Sequence, residues 1–183
     1  MNVILIGYRA TGKSTVGVLL SAKLNIPFAD TDLLVEKNMK MPISEIVTLH
    51  GWDFFRVKEK EAVLTLTQEQ TCVIATGGGV VLDKVNIDLL KQAGLIIWLN
   101  APLHDIISRL NSSTPGTALR PQFTNWNIVQ ETIFLMKQRV PLYEKAADHT
   151  LETANKNPIQ IAEEIYQYLV ESGNLIKIIK GKK

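Results

Sequence analysis

Nine consecutive residues, Gly7-Tyr8-Arg9-Ala10-Thr11-Gly12-Lys13-Ser14-Thr15, constrain this chain more than any other stretch. They fill the pattern G-x-x-x-x-G-K-[ST], and their flanks are the ones that pattern needs. Val3-Ile4-Leu5-Ile6 ahead of them is short, apolar and rich in β-branched residues, as a buried parallel strand is. Val16, Leu19, Leu20 and Leu24 behind them have helical spacing. The glycines permit a tight turn in which backbone N–H groups point inward at phosphate oxygens. A helix beginning near Lys13 adds unpaired N–H groups and the positive end of its dipole. Lys13 can reach the β- and γ-phosphates, and the Ser14 hydroxyl can ligate Mg²⁺. The stretch implies a nucleoside triphosphate site formed by Gly7, Ala10, Thr11, Gly12, Lys13, Ser14 and Thr15.

At 183 residues the chain suits a single α/β domain with a substantial core. Hydrophobic residues at 46% and charged residues at 21% are ordinary for a globular protein, so neither a disordered nor a membrane-embedded class is indicated. No apolar run approaches the ~20 residues that span a bilayer. The first strand starts at the N-terminus, which leaves no room for a signal peptide, and the lone Cys72 excludes an intramolecular disulfide. A cytoplasmic protein with no membrane partner is expected. The net charge of +2 misleads, because Lys177, Lys180, Lys182 and Lys183 crowd the tail; setting them aside from the 20 basic residues leaves 16 against 18 acidic ones. No nucleic-acid-binding face is indicated. His50, His104 and His149 lack metal-ligand spacing.

Pro27-Phe28-Ala29 reads as a second strand, ended by Asp30-Thr31-Asp32, with Asp32 placed to cap a helix towards Met39. Loops at the carboxyl ends of parallel strands face the ligand crevice, so both carboxylates should lie on the phosphate side. A short helix is expected from Pro42 to Leu49, with Gly51 beyond its end, and a longer one from Asp53 to about Thr67. On the second, Phe54, Val57, Glu61 and Leu64 share a face, and Glu59 stands three residues after Arg56, where it can hold the guanidinium in one orientation. Cys72-Val73-Ile74-Ala75 is a third strand, running into Gly77-Gly78-Gly79, which lets something approach the backbone closely. A helix over Asn86 to Gln92 stops at Gly94, Leu95 to Leu99 is a fourth strand, and Pro102 to Leu110 is a helix carrying Arg109.

The polar segment over 111–124, whose single charge is Arg120, is a candidate mobile lid. From Asn125 to Lys145 the pattern is helical, with Trp126, Val129, Ile133, Met136 and Val140 as core candidates. Thr132, Met136, Arg139 and Tyr143 fall on a neighbouring face, and Pro141 should kink the helix just after Arg139. His149 to Glu152 is a weak fifth strand, and Pro158 opens a last helix through Ile161, Ile165, Tyr166 and Leu169 to Gly173. The basic tail over 174–183 is compatible with fraying, with packing on an edge, or with contact to an acidic partner.

Alternating strands and helices imply a parallel sheet covered on both faces. Two carboxylates, a glycine run and arginines on separate helices around a triphosphate site form a phosphotransferase layout for a small polar acceptor. Asn155-Lys156-Asn157-Pro158 lacks the Asp of a guanine-specific switch protein. A motor or remodelling ATPase would end a strand in Asp, often Asp-Glu, where the third and fourth strands here run into Thr76-Gly77 and Asn100-Ala101.

In ordered series from Val3 to about Leu169, the chain resembles the shikimate kinase family, a nucleoside-monophosphate-kinase-like group of P-loop proteins. The resemblance is carried by the phosphate loop, Asp30-Thr31-Asp32, Phe55-Arg56 with Glu59, Gly77-Gly78-Gly79, Leu119-Arg120-Pro121 and Arg139-Val140-Pro141-Leu142-Tyr143. It implies a five-stranded parallel sheet with a mobile lid, and transfer from ATP to shikimate. By the same resemblance Arg56 and Arg139 would clamp the carboxylate, with Gly78 and Gly79 lining the ring and Asp32 holding its hydroxyls. Ser14 would bind Mg²⁺ and Asp30 would contribute through water, while Lys13 and Arg120 would stabilise the moving phosphoryl group. Arg109 and the Asn157-Pro158 turn would border adenine. The segment over 32–60 would be the substrate-binding part, and a monomer is expected. Departures are Trp52, where the family often has Glu, Gln122-Phe123 after the lid Arg-Pro, and Lys156 near a position some members fill with Arg. A related kinase for another hydroxy acid, such as gluconate, and a catalytically silent binding protein remain as alternatives.

Overall fold

The computed structural model describes residues 1–112 and 127–181. β1 (Asn2–Ile6) feeds the phosphate loop into α1 (Lys13–Leu24); β2 (Phe28–Asp30) runs into α2 (Thr31–Met39), followed by α3 (Ile43–Gln68). β3 (Val73–Ala75) is succeeded by a 3₁₀ turn (Val80–Leu82), then α4 (Lys84–Ala93), β4 (Gly94–Asn100) and α5 (Leu103–Ser112). α6 (Ile128–Ala146), β5 (His149–Glu152), α7 (Pro158–Glu171) and α8 (Asn174–Lys180) complete the order. The strands form a five-stranded sheet in the order β2-β3-β1-β4-β5, every neighbouring pair parallel. The expected α/β class is the observed one.

β1 lies at the centre, and its side chains alternate between the two faces. Val3 and Leu5 pack with Val16 and Leu20 of α1, Ile161 and Ile165 of α7 and Ile178 of α8. Ile4 and Ile6 pack with Val63 and Leu66 of α3, Leu90 of α4 and Tyr143 of α6. Burying each such aliphatic side chain is worth about 1.5–3 kcal/mol over leaving it exposed, so a strand with both faces covered reads as an unbroken apolar run. Because the chain steps from β1 to β2 at one edge and later returns past β1 to β4, the order reverses beside β1. The carboxyl ends of β1, β2 and β3 therefore open on a shared crevice.

Several local expectations change. Asp30 caps α2 in place of Asp32: its Oδ1 accepts from the backbone N–H of Asp32 at 2.9 Å and of Leu33 at 3.4 Å. A cap residue must still be extended, and Asp30 ends β2 that way while Asp32 is already helical. The two expected helices around Gly51 are both present as the arms of α3, which Gly51 separates with a non-helical φ of 81°. The face of α3 bearing Val57 and Leu64 is the outer one, and Phe55, Glu59, Ala62, Val63 and Leu66 turn inward. α6 likewise buries Glu131, Thr132, Leu135, Arg139, Tyr143 and Ala146, whereas Val129 and Ile133 are exposed and Met136 and Val140 half-buried. The inward faces carry charged and hydroxyl groups, so apolar periodicity points to the flank. α6 continues through Pro141. The tail forms α8 and packs into the core beside α7: Ile178 is fully buried, and the Gly181 carbonyl accepts from Thr71 Oγ1 at 3.0 Å. Arg120, Trp126 and most of the expected lid lie outside the described residues, and Asn111 and Ser112 belong to α5.

Candidate active site

The phosphate loop closes on itself. Thr11 Oγ1 donates to the Tyr8 carbonyl at 2.9 Å, and Gly12, at φ 93°, caps α1 in a left-handed conformation that suits glycine. Ala10 adopts φ 62°, a geometry that costs a non-glycine residue roughly 1–2 kcal/mol and is typical of a functional loop. The buried Lys13 ammonium folds over this loop and donates to the carbonyls of Gly7 at 2.8 Å and Tyr8 at 2.6 Å. Ser14 Oγ, at the exposed first turn of α1, donates to Asp30 Oδ2 at 2.7 Å. One carboxylate thus holds the start of α2 with one oxygen and the phosphate-loop hydroxyl with the other.

The glycine run after β3 closes the other side. Thr76 Oγ1 donates to the Leu5 carbonyl at 3.1 Å, and the Gly77 N–H donates to Thr31 Oγ1 at 2.9 Å, fixing the run against β1 and α2. Arg9, Ala10, Gly12, Lys13, Ser14, Thr15, Asp30, Asp32, Thr76 and Gly78 line a single cavity of about 260 Å³. An adjoining hollow of about 380 Å³ is lined by Ala10, Gly12, Thr15, Val16, Arg109, Lys156, Pro158 and Ile161. Arg109 is anchored there by donating to the Ala10 carbonyl at 3.1 Å.

Arg56 and Arg139, 83 positions apart in the numbering, come to the same glycines. The Arg56 guanidinium lies on Gly79 so closely that a Cβ at that position would stand 2.3 Å from Nη2. Arg139 Nη1 donates to the Gly78 carbonyl at 3.2 Å, and the Tyr143 hydroxyl donates to the same oxygen. Glu59, almost wholly buried, binds Arg56 Nη1 at 2.6 Å, and the rings of Phe55 and Trp52 lie 5.3 and 5.6 Å from its guanidinium. Trp52, a departure from the family pattern, thus supports the arginine. Burial pushes the Arg139 guanidinium below its ordinary pKa; Tyr143 and Tyr8 oppose that shift and the like charge of Arg56 adds to it. The guanidinium keeps its charge at neutral pH. Burial pushes the Tyr143 phenol up, with Arg139 pulling the other way. Arg56 Nη2, Glu59 Oε1, the Tyr8 hydroxyl and Thr132 Oγ1 are buried with no hydrogen-bond partner among the described residues. Orphaned polar groups around a concentration of positive charge fit a small anionic ligand bearing hydroxyls.

Sequence reasoning missed Tyr8, Arg9 and Glu131. Arg9 Nη2 donates to Glu131 Oε1 at 2.7 Å, the carboxylate being fully buried on the first turn of α6. Arg9 occupies a free position of the loop motif, so only the contact itself reveals it.

A nucleotide loop that opens into the same cavity as a carboxylate and a glycine run belongs to a phosphotransferase. The class is that of the P-loop kinases built like nucleoside monophosphate kinases. Similarity to known proteins narrows it: the family model described as shikimate kinase matches residues 9–170. A shikimate kinase of Syntrophus aciditrophicus (strain SB) is 38% identical, over 90% of this chain and 88% of its own. Among solved structures, shikimate kinase from Acinetobacter baumannii in complex with shikimate superposes with a TM-score of 0.87 at 32% identity, covering 93% of each chain. The Aquifex aeolicus shikimate kinase gives 0.79 at 31% identity, over 94% of this chain and 98% of its own. The chain belongs to the shikimate kinase family. Among the described residues no helix is long and apolar enough to cross a membrane.

Proposed function

We infer that the chain transfers the γ-phosphoryl group of ATP to the 3-hydroxyl of shikimate, giving ADP and shikimate 3-phosphate on the route to chorismate. The observation that carries this reading is the meeting of Arg56 and Arg139 at Gly78 and Gly79, with Gly78 shared by the phosphate-loop cavity. Two planar guanidiniums suit a carboxylate, and a ring held between them would present its hydroxyls towards Asp32. The hydroxyl oxygen attacks the γ-phosphorus, the bond from phosphorus to the β–γ bridging oxygen breaks, and the hydroxyl proton is released. The role of Asp32 is to orient the attacking hydroxyl.

Lys13 supplies positive charge to the transferring group, and Arg120 on the proposed lid would add to it. Arg109, Lys156 and Pro158 border the hollow proposed for the adenine end. The donors beside the phosphate loop are oxygens, Ser14 Oγ and Asp30 Oδ2 at 2.7 Å. That set fits Mg²⁺, which takes few protein ligands and keeps several waters. Ser14 would hold the ion directly and Asp30 through water. When bound, the ion neutralises charge on the β- and γ-phosphate oxygens.

Phosphate transfer measured across shikimate, quinate, gluconate and nucleoside monophosphates tests the reading. Turnover is expected with shikimate; turnover on gluconate with none on shikimate overturns it, as does shikimate binding without turnover. Gly79→Ala probes the acceptor side alone, because its methyl group would occupy the place of the Arg56 guanidinium. Displacing one charged fork should raise the shikimate KM roughly tenfold and leave the ATP KM near the parent value. An unchanged shikimate KM would place the acceptor elsewhere.

A further inference from the structure

Arg9 fills a position that the phosphate-loop motif leaves open, yet its surroundings are specific. Its Nη2 is held at 2.7 Å by Glu131, a carboxylate with no solvent exposure. Its Nε is buried without a hydrogen-bond partner among the described residues, and the side chain lines the cavity shared by Lys13, Ser14, Asp32, Thr76 and Gly78. The guanidinium lies 5.6 Å from the Tyr8 ring centroid, and Arg139 lies 5.6 Å from the same centroid. One edge of the Arg9 fork is therefore fixed by a buried anion, and a second N–H stays undirected beside the place where triphosphate and acceptor meet. A carboxylate sequestered from water on α6 holds its partner far more rigidly than a surface pair would.

We propose that Arg9 contacts the transferring phosphoryl group and that Glu131 is a positioning residue acting through Arg9; the proposal rests on the kinase reading above. Glu131 orients the guanidinium, and Arg9 places positive charge in the cavity where the reacting groups would meet. Glu131 follows the 113–126 segment closely, so the same pair ties the helix after that segment to the phosphate loop. A purely architectural pair would lower the unfolding temperature when broken and leave the chemistry of the folded enzyme intact.

The test is a double-mutant cycle of Arg9→Lys, Glu131→Gln and their combination, read by kcat, the ATP KM and the thermal unfolding midpoint. Each single change should lower kcat about tenfold at saturating substrates, with the ATP KM held within about threefold. The double variant should be no slower than the worse single within about twofold, because the two residues act as a unit. Should Glu131→Gln fail to fold, Arg9→Lys, which keeps a cation beside the buried carboxylate, still reads kcat. A kcat within about twofold of the parent in the folded variants, or losses that multiply in the double, overturns the proposal. Parent turnover on shikimate reads the kinase assignment separately.

Discussion

Lys13→Met lowers turnover on the order of 10²–10³-fold, the loss seen when one preorganised charge donor is removed from a transition state. The methionine keeps the length and most of the apolar stem, so the change isolates the ammonium. That ammonium also donates to the Gly7 and Tyr8 carbonyls, both within 2.8 Å, and so braces the loop. A bound triphosphate would give the ammonium anionic acceptors, adding charge–charge attraction to hydrogen bonds that its own charge already assists. Two effects should separate in measurement. Thermal unfolding should shift by the equivalent of about 1–3 kcal/mol, for carbonyls that lose a buried donor. Single-turnover phosphoryl transfer should fall by the larger factor even at temperatures where the variant is fully folded. A rate within tenfold of the parent would mean that the ammonium is chiefly a brace for the loop.

What was readable from the amino-acid order divides by physical cause. Phosphate loop, acidic pair and glycine run sit directly after apolar strands, where residue type is tied to backbone geometry and to the crevice that parallel strands create. The packing faces of α3 and α6 were misread for the opposite reason. Glu59, Glu131, Thr132 and Arg139 are buried, and polar residues turned inward break the apolar rhythm from which a core face is inferred. The cap of α2 falls on Asp30, two residues before the expected Asp32, because the two side chains are chemically identical and only the extended backbone of Asp30 selects it. Trp52 departs from the family pattern, and its role beside Arg56 is a spatial contact that the pattern does not encode. The Arg9–Glu131 pair joins residues 122 positions apart, and no local pattern encodes such a contact. Positive charge shows the same division: a tail of lysines dominates the net charge, whereas among the described residues Arg9, Arg56, Arg109 and Arg139 are buried or half-buried and held by named partners.

Arg139→Ala should weaken shikimate binding by about 1.5–3 kcal/mol, the scale of a hydrogen bond to a charged group, or roughly 10- to 150-fold in affinity. The arginine is only 4% exposed and donates to the Gly78 carbonyl at 3.2 Å, so its guanidinium is set before any ligand arrives. Its burial beside Arg56 is electrostatically costly, and a bound carboxylate relieves that cost; truncation removes both the strain and the attraction. Arg139→Lys keeps the charge but loses the planar fork, and should fall between parent and alanine variant. The phosphate loop is untouched in both, so ATP affinity should stay near the parent value. Calorimetric titration with shikimate, and separately with an ATP analogue, distinguishes the outcomes. Equal weakening of the two ligands would indicate that α6 has shifted as a whole. Unchanged shikimate affinity would remove the carboxylate clamp from the mechanism and leave Arg56 to hold the acceptor alone.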